Sequence, residues 1–332
     1  VDDPLLDLAA LAAWLDTKGL AGTQPLAASR LTSGRSNVMF RLDDGIHRWV
    51  LRRPAAVAVE RSDDLMRREF RLLSALDHTD VPHPRTVALC DDSAVLGCTF
   101  YVMEAVDGCN PIAPFPEALR GHETDVAHAM VDALAALHLA DWRALGLEGF
   151  GRPDGFHERQ VARWTRQLDS YGGRELPGLE RVGRWLGAHL PDEFEPTIMH
   201  GDYHMLNVIV AEDLPARVAA IVDWETASIG DPLLDVIGFV EVWCPSHSPD
   251  EGWPDREHLL RRYATMRGIG ELGSTDYYAA LYHFRLAVLL EGIYQRSLVD
   301  ATRSPATDVG ERVLIEVGLA GAAVDGAAPQ AL

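Results

Sequence analysis

The feature that most constrains the fold is a change of texture near residue 107. Before it, short runs at residues 26–31, 38–42, 48–51, 86–89 and 99–103 read as strands. Asp43-Asp44-Gly45 joins the second and third as a hairpin. One helical segment lies between the third and fourth: Ser62 can cap it, Asp63 and Asp64 sit in its first turn, and Leu65, Leu72, Leu73 and Leu76 form its apolar face. A further helix over residues 4–18 places Leu8, Leu11, Ala12 and Leu15 on one side and ends at Gly19. Beyond Pro111, Pro114 and Pro116 the pattern turns helical, over residues 124–138, 156–171, 175–190, 256–266, 277–298 and 307–319. Two short strands at 207–210 and 218–222 interrupt it. The prediction is an α+β chain. A lobe over residues 1–106 holds the N-terminal helix and a five-stranded antiparallel sheet with one inserted helix. A hinge over 107–116 leads to a helical lobe over 117–320, and an Ala- and Gly-rich tail over 321–332 is expected to fray. At 332 residues, two lobes are expected rather than one core.

The basic residues exclude several chemistries. Of the 30, only Lys18 is lysine, and it sits in Asp16-Thr17-Lys18-Gly19. A P-loop needs its lysine after a glycine-rich turn, so that site is ruled out, and a Schiff-base lysine is disfavoured. The net charge of −20 argues against a nucleic-acid partner, which requires a basic stripe, and against an anionic membrane surface. No apolar run approaches the roughly 18 residues of a membrane span. The opening Val1-Asp2-Asp3-Pro4 lacks the features of a signal peptide. Cys90, Cys98, Cys109 and Cys244 form no C-x-x-C pair and are expected to be reduced thiols, consistent with a cytoplasmic protein. No oligomeric state is predicted.

The chemistry concentrates in two neighbouring segments. The first runs Met199-His200-Gly201-Asp202-Tyr203-His204-Met205-Leu206-Asn207-Val208, the second Ile221-Val222-Asp223-Trp224-Glu225. If 207–210 and 218–222 pair as a hairpin, Asn207 and Asp223 meet at one end, with Asp202 in the loop before it. Two carboxylates and a carboxamide then offer oxygen ligands only, which suits magnesium with phosphates completing its shell. A carboxylate beside such a site can take the proton of a hydroxyl attacking phosphorus.

These residues resemble the signature of the aminoglycoside phosphotransferase-like kinases, in the superfamily shared with choline kinases. It stands here as His200-Gly201-Asp202 with Asn207, Val222-Asp223-Trp224-Glu225, and Gly230-Asp231-Pro232 with Asp235. The resemblance extends from the Ser33, Gly34, Arg35, Ser36, Asn37 loop to the helix holding Arg285, Gly292 and Arg296. The chain looks most like the branch associated with acyl-CoA dehydrogenases, implicated in phosphorylating hydroxyacyl-CoA compounds. The resemblance implies a two-lobed protein-kinase-like fold and an ATP- and magnesium-dependent transfer of the γ-phosphoryl group to a small-molecule hydroxyl, with GTP as the alternative donor. It implies that Asp202 orients or deprotonates the acceptor and that Asn207 and Asp223 hold magnesium. Ser33, Gly34, Arg35, Ser36 and Asn37 would cover the phosphates. Glu69 would pair with a phosphate-binding cation, and Glu104 and Val106 would offer backbone groups to the base. Asp235 would brace the catalytic loop, with His200 packed beneath it.

Two departures stand out. The strand-three cation, usually lysine in the family, is Arg52, with Arg53 beside it. The phosphate loop has a single glycine. Glu225 faces substrate or forms a salt bridge, and Asp231 is a candidate helix cap. Tyr278, Tyr282, Arg285 and Arg296 fall close to one helix face and are candidate acceptor contacts, the arginines for CoA phosphates. His200 and His204 lack the E-x-x-H context of a zinc pair. Gly268-Ile269-Gly270-Glu271-Leu272-Gly273 matches G-x-G-x-x-G, but it follows a helix and reads as a helix stop. Three readings compete: a small-molecule kinase with hydroxyacyl-CoA as candidate acceptor, an aminoglycoside kinase whose cationic substrate the acidic chain would suit, and a nucleotide-binding pseudokinase scaffold.

Overall fold

A computed structural model describes residues 3–31, 37–55, 62–112, 115–191, 193–247, 249–299 and 306–326. In chain order its elements begin α1 (Leu8–Thr17), β1 (Ala27–Leu31), β2 (Asn37–Asp43), β3 (Arg48–Pro54), α2 (Ser62–Leu76), β4 (Thr86–Cys90), α3 (Ser93–Leu96) and β5 (Phe100–Glu104). They continue with α4 (Glu123–Leu139), α5 (Gln160–Ser170), α6 (Leu179–Ala188), β6 (Thr197–Met199), β7 (Val208–Val210), β8 (Val218–Ile221) and β9 (Ser228–Gly230). Helices α7 (Leu233–Ser246), α8 (Arg256–Arg267), α9 (Asp276–Val299) and α10 (Thr307–Val324) complete the order. The chain forms two compact units. The first comprises Val1–Arg120, Ala140–Phe150 and Met205–Ala227; the second comprises Gly121–Leu139, Gly151–His204 and Ser228–Leu332.

In the first unit the five-stranded antiparallel sheet has the order β1-β2-β3-β5-β4. Strand alternation gives it two different faces. Phe40, Leu42, Trp49, Leu51, Phe100 and Val102 are buried in one cluster with Leu11 and Leu15 of α1. Each such side chain contributes roughly 1.5–3 kcal/mol when fully buried. The other face carries Met39, Arg41, Val50, Arg52, Tyr101 and Met103, held in register by the pairs Met39–Arg52, Arg41–Val50, Arg52–Tyr101 and Val50–Met103. The β2–β3 turn is set by Asp44, whose buried carboxylate accepts from the amides of Ile46 (3.1 Å) and His47 (2.7 Å). Helix α2 buries Met66, Glu69, Leu72, Leu73 and Leu76, a helical stripe with one carboxylate in it.

Residues 107–110 are stitched to β7. Cys109 and Val210 exchange both backbone hydrogen bonds, at 3.0 and 2.8 Å. Gly108 (φ 142°) makes this approach possible, because a Cβ there would lie 2.3 Å from the Val210 carbonyl oxygen. The Asn110 amide donates to the carbonyls of Leu206 (3.0 Å) and Val208 (2.8 Å), fixing the turn that enters β7.

The second unit is mainly helical. Helix α9 packs against α5, α6, α7 and α10, while α4 packs against α8 and β6. Three expectations need correction. Helix α7 is absent from the sequence reading, because most of its described residues are buried and none is exposed, so no polar stripe marks a helical period. The helix expected over 175–190 starts only at Leu179, since Pro177 and Gly178 (φ 96°) break the chain before it. Residues 321–324 do not fray: α10 runs to Val324, with Gly321 buried and Asp325 paired to Arg181 at 2.7 Å. Gly268 ends α8 in the left-handed conformation, so the glycine repeat there is a helix stop.

Candidate active site

The functional face of the first-unit sheet borders a cavity of about 490 Å³. Arg52 decides its character. Its side chain is 6% exposed, and its guanidinium makes two carboxylate contacts: Nε to Glu69 at 2.9 Å and Nη2 to Asp223 at 3.0 Å. Glu225 lies 3.6 Å from the same Nη2 and accepts from the Asn37 amide at 3.1 Å. Burial opposes the Arg52 charge, but the Glu69 carboxylate, with Tyr101, Asp223 and Glu225, holds its pKa above the ordinary arginine value. Burial pushes the Glu69 carboxyl upward against the pull of Arg52. Arg53 points the other way, donating to the carbonyls of Pro54 and Leu5. Alternation along β3 thus separates two adjacent arginines by role.

Asn207 and Asp223 also line the cavity. Asn207 closes a turn before β7, and its carbonyl accepts from the Val222 amide at 2.9 Å, which brings the start of β7 beside the residue preceding Asp223. Asp223 has φ 66°, the only positive φ of a non-glycine residue among those described. Aspartate is among the few side chains that tolerate this left-handed conformation, and from it the Asp223 carboxylate accepts from Arg52. Glu104, Ala105 and Val106 form another wall, held by the Glu104 amide on Arg85 O (2.8 Å) and the Ala105 amide on Arg48 O (2.9 Å). Leu31, Val50, Met103, Leu206 and Ile209 add apolar surface. Ser33, Gly34, Arg35 and Ser36 lie outside the described residues; Asn37 opens β2.

Asp202 belongs to the second unit. The loop that carries it is fixed from below: the Asp235 carboxylate accepts from the amides of His200 (2.6 Å) and Gly201 (2.8 Å), and the buried His138 lies 3.4 Å from the same carboxylate. The Asp202 side chain is 53% exposed and lies 3.4 Å from His204 Nε2. Partial burial raises its pKa, but the hydrogen bond and charge of His204, with His200 and Arg285, bring it below the ordinary value.

The sequence matches the APH model, the phosphotransferase enzyme family, over residues 27–269. The chain belongs to this family. Mouse acyl-CoA dehydrogenase family member 10 is 32% identical over 305 residues, covering 86% of this chain and 28% of that protein. Human acyl-CoA dehydrogenase family member 11 is 32% identical over 287 residues, covering 82% and 37%. The phosphotransferase chain therefore spans well under half the length of these relatives. Among solved structures, a Ralstonia eutropha protein named provisionally as an aminoglycoside phosphotransferase aligns with a TM-score of 0.85 at 29% identity, over 97% of this chain and 99% of that one. The GDP complex of aminoglycoside 2'-phosphotransferase-IIIa aligns with a TM-score of 0.63 at 16% identity, over 96% and 99%, and shows the shared kinase-like fold.

Within this phosphotransferase the remaining candidates fall in different settings. The Tyr278 hydroxyl donates to buried Asp231 at 2.8 Å, and His157 contacts the same carboxylate oxygen at 2.9 Å. Asp231 also accepts from the Leu233 amide at 3.0 Å, so it caps α7 and anchors two distant side chains at once. Tyr278 is thereby explained as a buried support. Arg285 donates to Gly201 O at 3.2 Å and lies over the Trp164 ring at 5.3 Å, beneath the Asp202 loop. Tyr282 is half-buried against Gly238, and Arg296 is exposed. Sequence reasoning missed three contributors. His204 was weighed only as a metal ligand, yet its position two residues after Asp202 was the available signal. Tyr101, whose hydroxyl pairs with Glu69, faces the cavity by strand alternation from Met103. Asn110 had no signal beyond its turn-forming neighbours.

The donor set fits a hard divalent cation. Asn207, Asp223 and Glu225 bring amide and carboxylate oxygens, and among the described residues neither a thiol nor an imidazole lines the cavity.

Proposed function

We propose that this phosphotransferase uses ATP and magnesium to transfer the γ-phosphoryl group to a hydroxyl of a small molecule, with GTP as the alternative donor. The observation that carries the reading is the Arg52–Glu69–Asp223 linkage in a cavity also lined by Asn207 and a flat apolar wall. The apolar wall suits a base, with Glu104 and Val106 offering backbone groups to its edge. Arg52 would neutralise phosphate charge while Glu69 fixes its orientation. Asn207 and Asp223, with Glu225 beside them, would hold magnesium, which supplies charge neutralisation at the phosphates. Asp202 would accept the proton of the attacking hydroxyl; its low pKa keeps it ionised at neutral pH. Asp235, through the His200 and Gly201 amides, would keep that carboxylate in place.

The relatives named as acyl-CoA dehydrogenase family members support a hydroxyacyl-CoA as the candidate acceptor. An aminoglycoside acceptor is the second reading, favoured by the −20 net charge. Four free cysteines fit a cytoplasmic setting. No helix among the described residues is long and apolar enough to cross a membrane. The test is nucleotide consumption with ATP or GTP against hydroxyacyl-CoAs, aminoglycosides, sugars and amino alcohols, with Asp202→Ala as control. Acceptor-dependent consumption by the parent alone supports the reading. Nucleotide binding without turnover on any acceptor would favour a scaffold, and equal consumption by the control would assign the activity to a contaminant.

A further inference from the structure

Helices α4 and α8 of the second unit pack side by side and are joined by matched polar rungs. Asp132 holds Arg262 with two bonds, at 2.7 and 2.6 Å. Further along, His138 Nδ1 meets the Tyr263 hydroxyl at 2.7 Å, and Arg267 donates to the His138 carbonyl. The outermost rung is of a different kind. His128 of α4 and His258 of α8 face each other with their Nε2 atoms 2.7 Å apart, and no carboxylate is bonded to either ring among the described residues.

We infer that this rung is a surface site for a divalent transition-metal ion, chelated by Nε2 of His128 and Nε2 of His258. Two converging imidazole nitrogens can share a single proton when no cation is present, and repel when both rings are protonated. A metal ion satisfies both lone pairs at once. With each nitrogen about 2.0–2.1 Å from the ion, the two nitrogens stand about 2.9 Å apart at a right angle and about 3.3 Å apart in a tetrahedron. The nitrogens must separate by a few tenths of an ångström, and because the rings meet nearly head-on, with centroids 5.0 Å apart, each ring must also turn by tens of degrees to aim its lone pair at a shared ion.

His258 is exposed and His128 half-buried, so the pair is open to solvent. Among the described residues no group of three or more His, Cys, Asp or Glu forms a metal cage, so water would complete the coordination. Two imidazoles favour nickel, copper or zinc over magnesium, which prefers oxygen. The site is therefore chemically separate from the cation site of the cavity. Its place in the ladder gives it a consequence: the same helix pair leads through His138 to Asp235 and the amides of His200 and Gly201.

The test uses the full chain after chelator treatment, titrated with nickel(II) chloride by calorimetry and by thermal unfolding. The parent is expected to bind one equivalent and to unfold at a higher temperature with the metal. His128→Asn and His258→Asn are each expected to lose at least about tenfold in affinity, because half of the protein ligands are gone. Unchanged metal-free Tm and circular dichroism in these variants establish that they fold; His128→Gln and His258→Gln serve if they do not. Millimolar magnesium should leave nickel binding intact. Failure of the parent to bind, equal binding by parent and folded variants, or displacement by magnesium would overturn the site.

Discussion

The carboxylates of the cavity and those around the Asp202 loop are held by different partners. In the cavity the partner is a guanidinium: Arg52 faces Glu69, Asp223 and Glu225. Around the Asp202 loop the partners are imidazoles: His204 beside Asp202, His138 beside Asp235 and His157 beside Asp231. Arginine stays charged at every pH a protein survives, so the cavity keeps its positive point. Burial lowers the His138 pKa, so charge on the ring beside Asp235 is disfavoured. The proposed division of labour matches: a fixed positive point for phosphates, and imidazole contacts for the group that handles a proton.

The comparison breaks most severely if Asp202 is dispensable. Asp202→Ala should lower kcat about 10²–10⁴-fold, the range for loss of a general base. Its side chain is 53% exposed with a 3.4 Å contact to His204, so Tm should hardly move. Single-turnover kinetics with thermal unfolding would separate the two effects. An unchanged kcat would remove the proton-handling role from this unit altogether.

The cavity should respond in the opposite sense, with stability falling first. Glu69→Ala leaves a buried guanidinium with part of its compensation gone. It should cost about 3–5 kcal/mol in urea unfolding, the range for breaking a buried pair. Arg52→Lys is milder, because one ammonium cannot reproduce both the Nε contact to Glu69 and the Nη2 contact to Asp223. The loss expected is one charge-assisted hydrogen bond, about 1.5–3 kcal/mol. A stability change near zero for Glu69→Ala would show that the linkage does not hold the unit together.

The parts of this arrangement legible in sequence were those that local order dictates. Strand alternation and the Asp43-Asp44-Gly45 turn produce the five-stranded sheet, and the short spacing from Asn207 to Asp223 produces the β7–β8 hairpin. Arg52 rather than Arg53 was named from the resemblance alone; the physical reason, that Arg52 shares the cavity face with Met39 and Tyr101, comes from the register with β2 and β5. The partners of Asp231 come from 74 and 47 residues away, a distance over which sequence pattern carries no information. Helix α7 was missed for the same physical reason that makes it central: a helix buried on all sides has no amphipathic period to read. Residues 321–324, which continue α10, were left out of that helix because alanine and glycine read as low complexity, although alanine is also the strongest helix former.

The smallest expected effect bears most directly on the imidazole side of the comparison. Asp202 titrates below the ordinary aspartate value of 3.8: partial burial raises it, but the His204 hydrogen bond and charge, then His200 and Arg285, outweigh burial. A depressed carboxylate contributes stability above its unfolded pKa and loses it as pH falls through the folded one. The same ionised form serves as the base, so the acid limb of kcat due to Asp202 lies below that of an unperturbed aspartate. His204→Gln removes the leading cause of the depression while leaving Asp202 in place. The acid limb should then move to higher pH, with kcat at pH 7 falling far less than in Asp202→Ala. A kcat–pH profile of parent and variant measures this directly. A limb that stays where it was would detach His204 from proton handling.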